Sequence, residues 1–157
     1  MLTQEPAARC QKACPTRTNV PEYIRLISEG DYYGAWKVNR QANVFPSVCG
    51  RVCVRLCEKS CKRQDVSGEG KFFCESVAIR ALKRFAADNV TATYRKKFLE
   101  EVLPTIRKNG KKVAVIGSGP AGLAVANDLV LAGCDVTVYE AAPVPGGMLV
   151  LGIPAYR

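Results

Sequence analysis

The chain has 157 residues, 48% of them hydrophobic, and a formal net charge of +9. This composition is typical of a globular protein that forms one ordinary domain or two small ones. The sequence contains no histidine, which excludes zinc sites with mixed cysteine and histidine ligands and every catalytic mechanism that needs a histidine base.

Hydropathy and charge give the first expectations about surroundings and partners. No apolar run is long enough to cross a membrane, and residues 1–12 lack the apolar core of a secretory signal. We therefore expect a cytoplasmic protein without membrane insertion. The basic excess is interpreted as a solvated surface or as a docking surface for an acidic redox partner. Nucleic acid is not an expected partner, because aromatic residues are not interleaved with the basic ones.

Short helices joined by loops are predicted for the first half of the chain. The predicted helices cover residues 21–30, 31–43, 76–87 and 93–107. Gly30 is suited to end the first helix, and Asp31 is suited to cap the second. Pro104 is expected to break or kink the last one, because proline lacks the amide proton of a helical hydrogen bond.

The second half begins with a polar hinge at residues 108–112, which precedes a predicted βαβ unit. The predicted strands are Lys112–Ile116 and Asp135–Tyr139, and the predicted helix between them is Ala121–Ala132. The predicted fold class is α+β: a small all-α domain at residues 1–109, followed by an incomplete Rossmann-like βαβ unit at residues 110–157.

Seven cysteines precede the hinge and are the candidate metal ligands. They are Cys10, Cys14, Cys49, Cys53, Cys57, Cys61 and Cys74. Four of them recur at every fourth position from Cys49 to Cys61. On one regular helix these four would form a stripe of thiols, whereas in turns around Gly50 several would converge on one metal centre.

The chemistry of these cysteines favours an iron–sulfur cluster. A cubane takes four thiolate ligands, and Cys14 is followed by Pro15, as cysteines in ferredoxin-like sites often are. Zinc held by cysteines alone and cysteines without a metal, free or in disulfides, are the alternatives, but the paired C-x2-C of zinc sites is absent. Nearby cations would offset the cluster's negative charge or simply be solvated: Arg51, Arg55, Lys59, Lys62 and Arg63.

A glycine-rich turn links the first predicted strand to its helix and indicates a dinucleotide site. Gly117 permits the tight turn, Gly119 lets the backbone approach a pyrophosphate, and Gly122 lets helix and strand pack closely. Glu140, at the end of the second strand, would accept hydrogen bonds from ribose hydroxyls, which suits FAD or NAD better than NADP. The candidate dinucleotide-binding residues are Gly117, Ser118, Gly119, Pro120, Ala121, Gly122, Glu140, Gly146, Gly147 and Met148.

Several segments in a fixed order resemble a known family. They include Cys14-Pro15, Val20-Pro21-Glu22-Tyr23-Ile24, Cys49-Gly50-Arg51-Val52-Cys53 and the run from Val77 to Phe85. Together they resemble the N-terminal domain shared by the glutamate synthase small subunit, the NADPH-binding part of dihydropyrimidine dehydrogenase, and related ferredoxin:NADP oxidoreductases. The resemblance covers nearly the whole chain.

The resemblance implies 4Fe-4S clusters and a ligand set. The family's domain holds two clusters and uses a further upstream pair of cysteines and a Gln or Glu from a later helix. This chain lacks that pair, has a contracted spacing from Cys53 to Cys57, and has Lys83 at the Gln/Glu position. Carried over by position, one centre takes Cys14, Cys53 and Cys57, and the other retains Cys10 and Cys61. Cys49 and Cys74 are alternatives for a missing ligand; one cluster is expected, and two remain open.

The flavin prediction also depends on the resemblance. Gly146-Gly147-Met148-Leu149 resembles the continuation of the family's FAD domain, which favours FAD over NAD, whereas an ordinary flexible loop is the alternative. The implied function is an iron–sulfur and flavin electron-transfer subunit, or fragment, of an NAD(P)H-linked oxidoreductase.

The expected partners are other redox subunits of a complex, one of which would complete the flavin site if this chain is a natural short subunit. No side chain is assigned a catalytic role, because the cofactors would carry the chemistry. A non-catalytic assembly subunit with a structural metal site is the alternative.

Overall fold

The computed structural model describes residues 7–66 and 75–156. The chain divides into two compact units, Met1–Thr91 and Ala92–Arg157. This division lies ahead of the predicted hinge at residues 108–112, so the helix that begins at Ala92 groups with the βαβ unit. The assignment of the two cofactor domains to residues 1–109 and 110–157 stays a prediction.

The first unit is helical. Its α-helices are α1 (Arg9–Ala13), α2 (Val20–Ser28), α3 (Tyr32–Ala42), α4 (Pro46–Val52), α5 (Leu56–Lys59) and α6 (Ile79–Asp88), and a 3-10 helix covers Lys62–Val66. Gly30 has a φ of 80° just after α2, and the Asp31 side chain accepts a hydrogen bond of 2.8 Å from the Gly34 amide at the start of α3. The predicted end of the one helix and cap of the other are thus confirmed.

The core of this unit lies between α2, α3 and α6. Its buried residues are Val20, Tyr23, Ala35, Ile79 and Ala86, and Cys10 and Cys57 pack against them. The Tyr23 hydroxyl, fully buried, donates a hydrogen bond of 3.0 Å to the Ile79 carbonyl. The two cysteines therefore lie against an apolar, rigid support.

We expect Tyr23→Phe to lower the free energy of unfolding by about 0.5–1.5 kcal/mol, because it removes the buried hydrogen bond to the Ile79 carbonyl. Chemical denaturation followed by circular dichroism measures the change. The matched control is Tyr156→Phe, since Tyr156 is 85% exposed and its change should leave the midpoint where it is. Equal midpoints for the two variants would contradict the role assigned to the buried hydroxyl.

The second unit contains the βαβ arrangement. Its elements are α7 (Ala92–Val102), a 3-10 helix (Leu103–Thr105), β1 (Lys112–Ile116), α8 (Pro120–Leu131), β2 (Asp135–Tyr139) and α9 (Met148–Leu151). Strands β1 and β2 pair in parallel, with Lys112 opposite Asp135 and Ile116 opposite Tyr139. The predicted strands and the α+β class are confirmed, and α7 ends just before Pro104, where the sequence predicts a break.

Four helices were not predicted, namely α1, α4, α5 and α9, and α6 begins at Ile79 rather than near Ser76. The unpredicted helices have four to seven residues each, so they are too short to show a helical period. No helix in the described part of the chain has both the length and the apolar character needed to cross a membrane.

Candidate cofactor sites

The regularly spaced cysteines do not share one helix. Cys49 lies in α4, and Cys53 caps the end of α4 with extended backbone. Arg55 then adopts a left-handed conformation with a φ of 62°, and α5, which contains Cys57, begins after it. The backbone therefore turns between Cys53 and Cys57, which excludes the single stripe of thiols. The turn predicted around Gly50 was wrong in its position, because Gly50 is buried inside α4 and the chain turns at Arg55 instead.

Two groups of cysteines lie within electrostatic range of one another. The pKa of Cys57 is raised by burial and then by repulsion from Cys14 and Cys53. We call Cys14, Cys53 and Cys57 the Cys14 group. Because charges shift a pKa in this way only at short range, Cys14 at the end of α1 and Cys53 at the end of α4 both lie near Cys57.

The second group contains Cys10 and Cys61. Burial raises the pKa of Cys10 most, and repulsion from Cys61 and from Cys14 adds to the rise, whereas two backbone hydrogen bonds oppose it. We call this pair the Cys10 group. It lies beside the Cys14 group, since Cys14 acts on both Cys10 and Cys57.

The remaining two predicted ligands, Cys49 and Cys74, are assigned to neither group. Cys49 is half-buried in α4, and Cys74 lies outside the described residues. All cysteines in residues 7–66 and 75–156 are free thiols. Cys134, which is not among the predicted ligands, is buried in the second unit.

Cys14 is surrounded by hydroxyl groups. Its sulfur lies 3.3 Å from Thr16 Oγ1 and 3.7 Å from Thr18 Oγ1, and the two hydroxyls are 3.0 Å apart. Burial is the largest influence on the pKa of Cys14 and raises it. Hydrogen bonds from the Thr16 side chain and from the Thr18 backbone and side chain together outweigh burial and lower the pKa to about 7. The lowered pKa increases the fraction of Cys14 that is thiolate at neutral pH, and the thiolate is the form of cysteine that binds metals.

Helix α6 supports the turn between Cys53 and Cys57. The Arg80 guanidinium donates a hydrogen bond of 3.1 Å to the Cys53 carbonyl. In return, the Glu58 carboxylate accepts one of 2.8 Å from the Arg80 backbone amide, at the N-terminal end of α6, where an acid is favourable. Sequence reasoning missed Arg80 and Glu58 as supports, because their partners are a backbone carbonyl and amide of distant segments.

The cations near the cysteines have different roles. Arg51 pairs with Asp88 of α6 at 2.7 Å, and Arg55 lies 3.7 Å from Glu58. Lys59 lines a recess beside Cys61, together with Arg9 and Lys12 of α1. Arg51 and Arg55 therefore form ion pairs within the first unit. The recess is a basic surface next to the Cys10 group.

The donor set suits an iron–sulfur cluster, because it consists of thiols that the fold gathers against one apolar core. Within the described ranges, no three cysteine or carboxylate groups converge as they do around a single metal ion. A cubane is larger than an ion, and each of its four iron atoms takes its own thiolate, so its ligands stand further apart. The chemistry of the donors therefore fits a 4Fe-4S cluster.

The glycine-rich turn has the geometry that a dinucleotide requires. Gly117 has a φ of 91°, which favours glycine. A Cβ on Gly122 would lie 2.0 Å from the Gly117 carbonyl oxygen, so α8 packs directly on the end of β1. A Cβ on Gly119 would meet no atom within 4 Å. Open space therefore lies where the sequence predicts a pyrophosphate, beside the start of α8 at Pro120 and Ala121.

Glu140 is hydrogen-bonded to this turn. Its carboxylate accepts bonds from the Ala142 amide at 2.9 Å, from the Ser118 hydroxyl and from the Ser118 amide at 2.8 Å. These bonds, with that of Ala142 the strongest, lower the pKa of Glu140 to about 2. The group is thus an anion at neutral pH, and a carboxylate with about four acceptor positions has room for a ribose hydroxyl.

The second glycine pair is packed on the first turn. The Gly146 amide donates a hydrogen bond of 3.0 Å to the Ser118 hydroxyl. A Cβ on Gly147 would lie 3.0 Å from Gly119 Cα. Met148 follows as the first residue of α9 and is 64% exposed. The predicted dinucleotide residues are therefore neighbours, and their binding role stays a prediction.

Comparison with known families and proteins agrees with this geometry. Residues 4–95 match the family described as dihydropyrimidine dehydrogenase domain II, 4Fe-4S cluster. Residues 115–149 match the family described as NAD(P)-binding Rossmann-like domain. The two matches fall on the two regions described above, the cysteine groups and the glycine-rich turn.

The chain is also similar to individual oxidoreductase subunits. It is 40% identical to the NADP(+)-dependent formate dehydrogenase subunit beta of Moorella thermoacetica, over 99% of this chain and 24% of that protein. It is 41% identical to the NADPH-Fe(3+) oxidoreductase subunit beta of Geobacter sulfurreducens, over 96% and 21%. It is 36% identical to the glutamate synthase (NADPH) small chain of Azospirillum brasilense, over 94% and 29%. The chain thus spans less than a third of the length of these relatives.

Proposed function

The chain belongs to the dihydropyrimidine dehydrogenase domain II family of 4Fe-4S cluster domains, and on that premise we propose that it relays electrons between iron–sulfur and FAD centres of an NAD(P)H-linked oxidoreductase. The observation that carries this proposal is the family match over residues 4–95, within which five cysteines lie near enough to act on one another's charge. The named relatives, all oxidoreductase subunits, support the class of reaction.

The cluster would be held first by the Cys14 group. Cys14, Cys53 and Cys57 supply three thiolates, and Cys49 and Cys74 are the candidates for a fourth ligand. A second cluster at Cys10 and Cys61 would need two further ligands. A bound cluster supplies one-electron transfer, while the chain supplies the ligands, the support from α6 and the surrounding charges.

The flavin would begin at the glycine-rich turn. In this proposal Gly119 and the start of α8 bind the pyrophosphate, and Glu140 binds the ribose of FAD. Two strands and a helix do not enclose an isoalloxazine ring. We therefore propose that further protein, of the same polypeptide or of a partner subunit, completes the flavin site and carries the nicotinamide site.

The test is to purify the protein anaerobically and to measure iron, acid-labile sulfide, zinc and flavin per chain. We expect iron and sulfide in equal amounts, about four of each per cluster, and FAD once the complete protein or complex is assembled. Reduction by dithionite should give the electron paramagnetic resonance signal of a reduced 4Fe-4S cluster. Zinc bound in place of iron would refute the proposal and favour a structural metal site.

A further inference from the structure

A buried lysine lies close to the Cys14 group. Lys83 of α6 is only 9% exposed, although lysine is almost never buried without a partner. Its Nζ donates a hydrogen bond of 3.4 Å to the hydroxyl of Thr18, which is fully buried. Among the side chains that the structure describes, in residues 7–64 and 75–156, no carboxylate pairs with this ammonium group.

A neutral hydroxyl is a poor partner for a buried cation. Removing an ammonium group from water is costly unless an anion compensates for the loss of hydration. Cys14, a source of negative charge when it is a thiolate, has its sulfur 3.7 Å from the same Thr18 hydroxyl. Links of 3.4 Å and 3.7 Å place the ammonium nitrogen no further than about 7 Å from that sulfur.

The Lys83 ammonium donates to Thr18 Oγ1. When Cys14 is a thiolate it has no proton to donate, so the Thr18 hydroxyl is the donor of any hydrogen bond between the two. The Thr18 proton then has two acceptors in reach, the Cys14 sulfur at 3.7 Å and Thr16 Oγ1 at 3.0 Å, and in the first orientation it points at the ligand sulfur. A positive charge and a hydrogen bond directed at a ligand sulfur both favour the more negative, reduced form of a cluster. Both therefore raise the reduction potential.

We propose that Lys83 is a positioning residue that acts through Thr18 to raise the reduction potential of the iron–sulfur centre ligated by Cys14. The proposal rests on the proposed function, because it needs a cluster at Cys14. This role differs from that of a metal ligand. An ammonium group has no lone pair, so Lys83 cannot bind iron. The centre would then take its ligands from cysteines, and Lys83 would set its potential.

The test is redox titration of the anaerobically purified protein, monitored by electron paramagnetic resonance. For Lys83→Met, which keeps the length of the side chain and removes its charge, we expect an unchanged iron content. The ratio of reduced to oxidised cluster at a given potential should fall at least about tenfold, which corresponds to a downward midpoint shift of about 59 mV for one electron. The matched control is Lys96→Met, because Lys96 belongs to the second unit and its side chain is 78% exposed, so that water screens its charge; its shift should be much smaller.

A pair of changes at Thr18 keeps the proposal testable if Lys83→Met fails to fold or to load iron. Thr18→Val removes the hydroxyl at constant shape and should lower the midpoint potential. Thr18→Ser retains the hydroxyl and should keep the wild-type potential. A midpoint that is the same in Lys83→Met and wild type overturns the proposal. So do equal midpoints in the two Thr18 variants. If the wild-type protein itself lacks a cluster, the proposed function fails instead.

Discussion

Cys14→Ala is expected to remove an entire iron–sulfur centre, with a loss of about four iron atoms and four sulfides per chain. The physical reason is that Cys14 is the thiol in the group whose pKa is lowered, to about 7, by surrounding hydroxyls. It also acts electrostatically on Cys10 of the other group as well as on Cys57 of its own. Without its thiolate one iron atom of the cubane has no protein ligand from α1 or the loop that follows it. Iron and sulfide analysis together with the spectrum of the reduced protein measures the loss.

Two further variants make the Cys14 experiment specific. Cys57→Ala should remove the same spectral component as Cys14→Ala, because both cysteines belong to one group. Cys134→Ala is the matched control, because Cys134 is a buried cysteine of the second unit. This variant protein should retain all its iron. A Cys14→Ala protein with wild-type iron content would contradict the proposed ligand set.

The second large effect is expected at the glycine-rich turn, where Gly119→Ala should impair dinucleotide binding without unfolding the protein. The new methyl group would meet no protein atom within 4 Å, so it would enter the space that the pyrophosphate needs. Loss of one hydrogen bond to a charged phosphate costs about 1.5–3 kcal/mol, which raises the Kd about tenfold to a hundredfold. Calorimetric titration with FAD on the complete protein measures the change.

Gly122→Ala is the contrasting variant at the same turn. Its methyl group would lie 2.0 Å from the Gly117 carbonyl oxygen. The overlap should force α8 away from β1 and destabilise the second unit by about 1–3 kcal/mol or more. Thermal unfolding should therefore separate the two variants, with Gly122→Ala the less stable. If Gly119→Ala binds FAD as tightly as wild type does, the open space beside Gly119 is not the pyrophosphate site.

Local signals explain why part of the fold was predictable. Strands β1 and β2 coincide with the predicted ranges, because an apolar run bounded by a glycine turn and a polar hinge indicates a buried strand. Asp31 and Gly30 mark helix ends through bonds and backbone angles that involve only near neighbours. The short helices around the cysteines have no such periodic signal, and their ends depend on packing against α6.

The residues of the candidate sites were likewise predictable only in part. The thiols and glycines could be selected from the sequence, since few residue types supply iron ligands or permit a tight phosphate-binding turn. The Arg80 bond to Cys53 could not be selected, because it joins segments that are 27 residues apart along the chain. The hydroxyls beside Cys14 belong to its near neighbours Thr16 and Thr18, but residue type and spacing do not show that both side chains turn toward the sulfur. Lys83 shows most clearly what only the structure could add. Its sequence position shows only that it cannot be a ligand, whereas its burial beside Thr18 indicates an electrostatic role.

By itself the sequence determined the kind of chemistry available to this protein: thiol ligands, a dinucleotide turn, no histidine, and two regions with different composition. These are properties of residue types and of short spacings, which the chain carries whether or not it is folded. Only the tertiary structure decided which thiols are neighbours, which cation is buried beside them and which glycine leaves open space. Each of these depends on distances between segments that only packing of the helices and strands brings together.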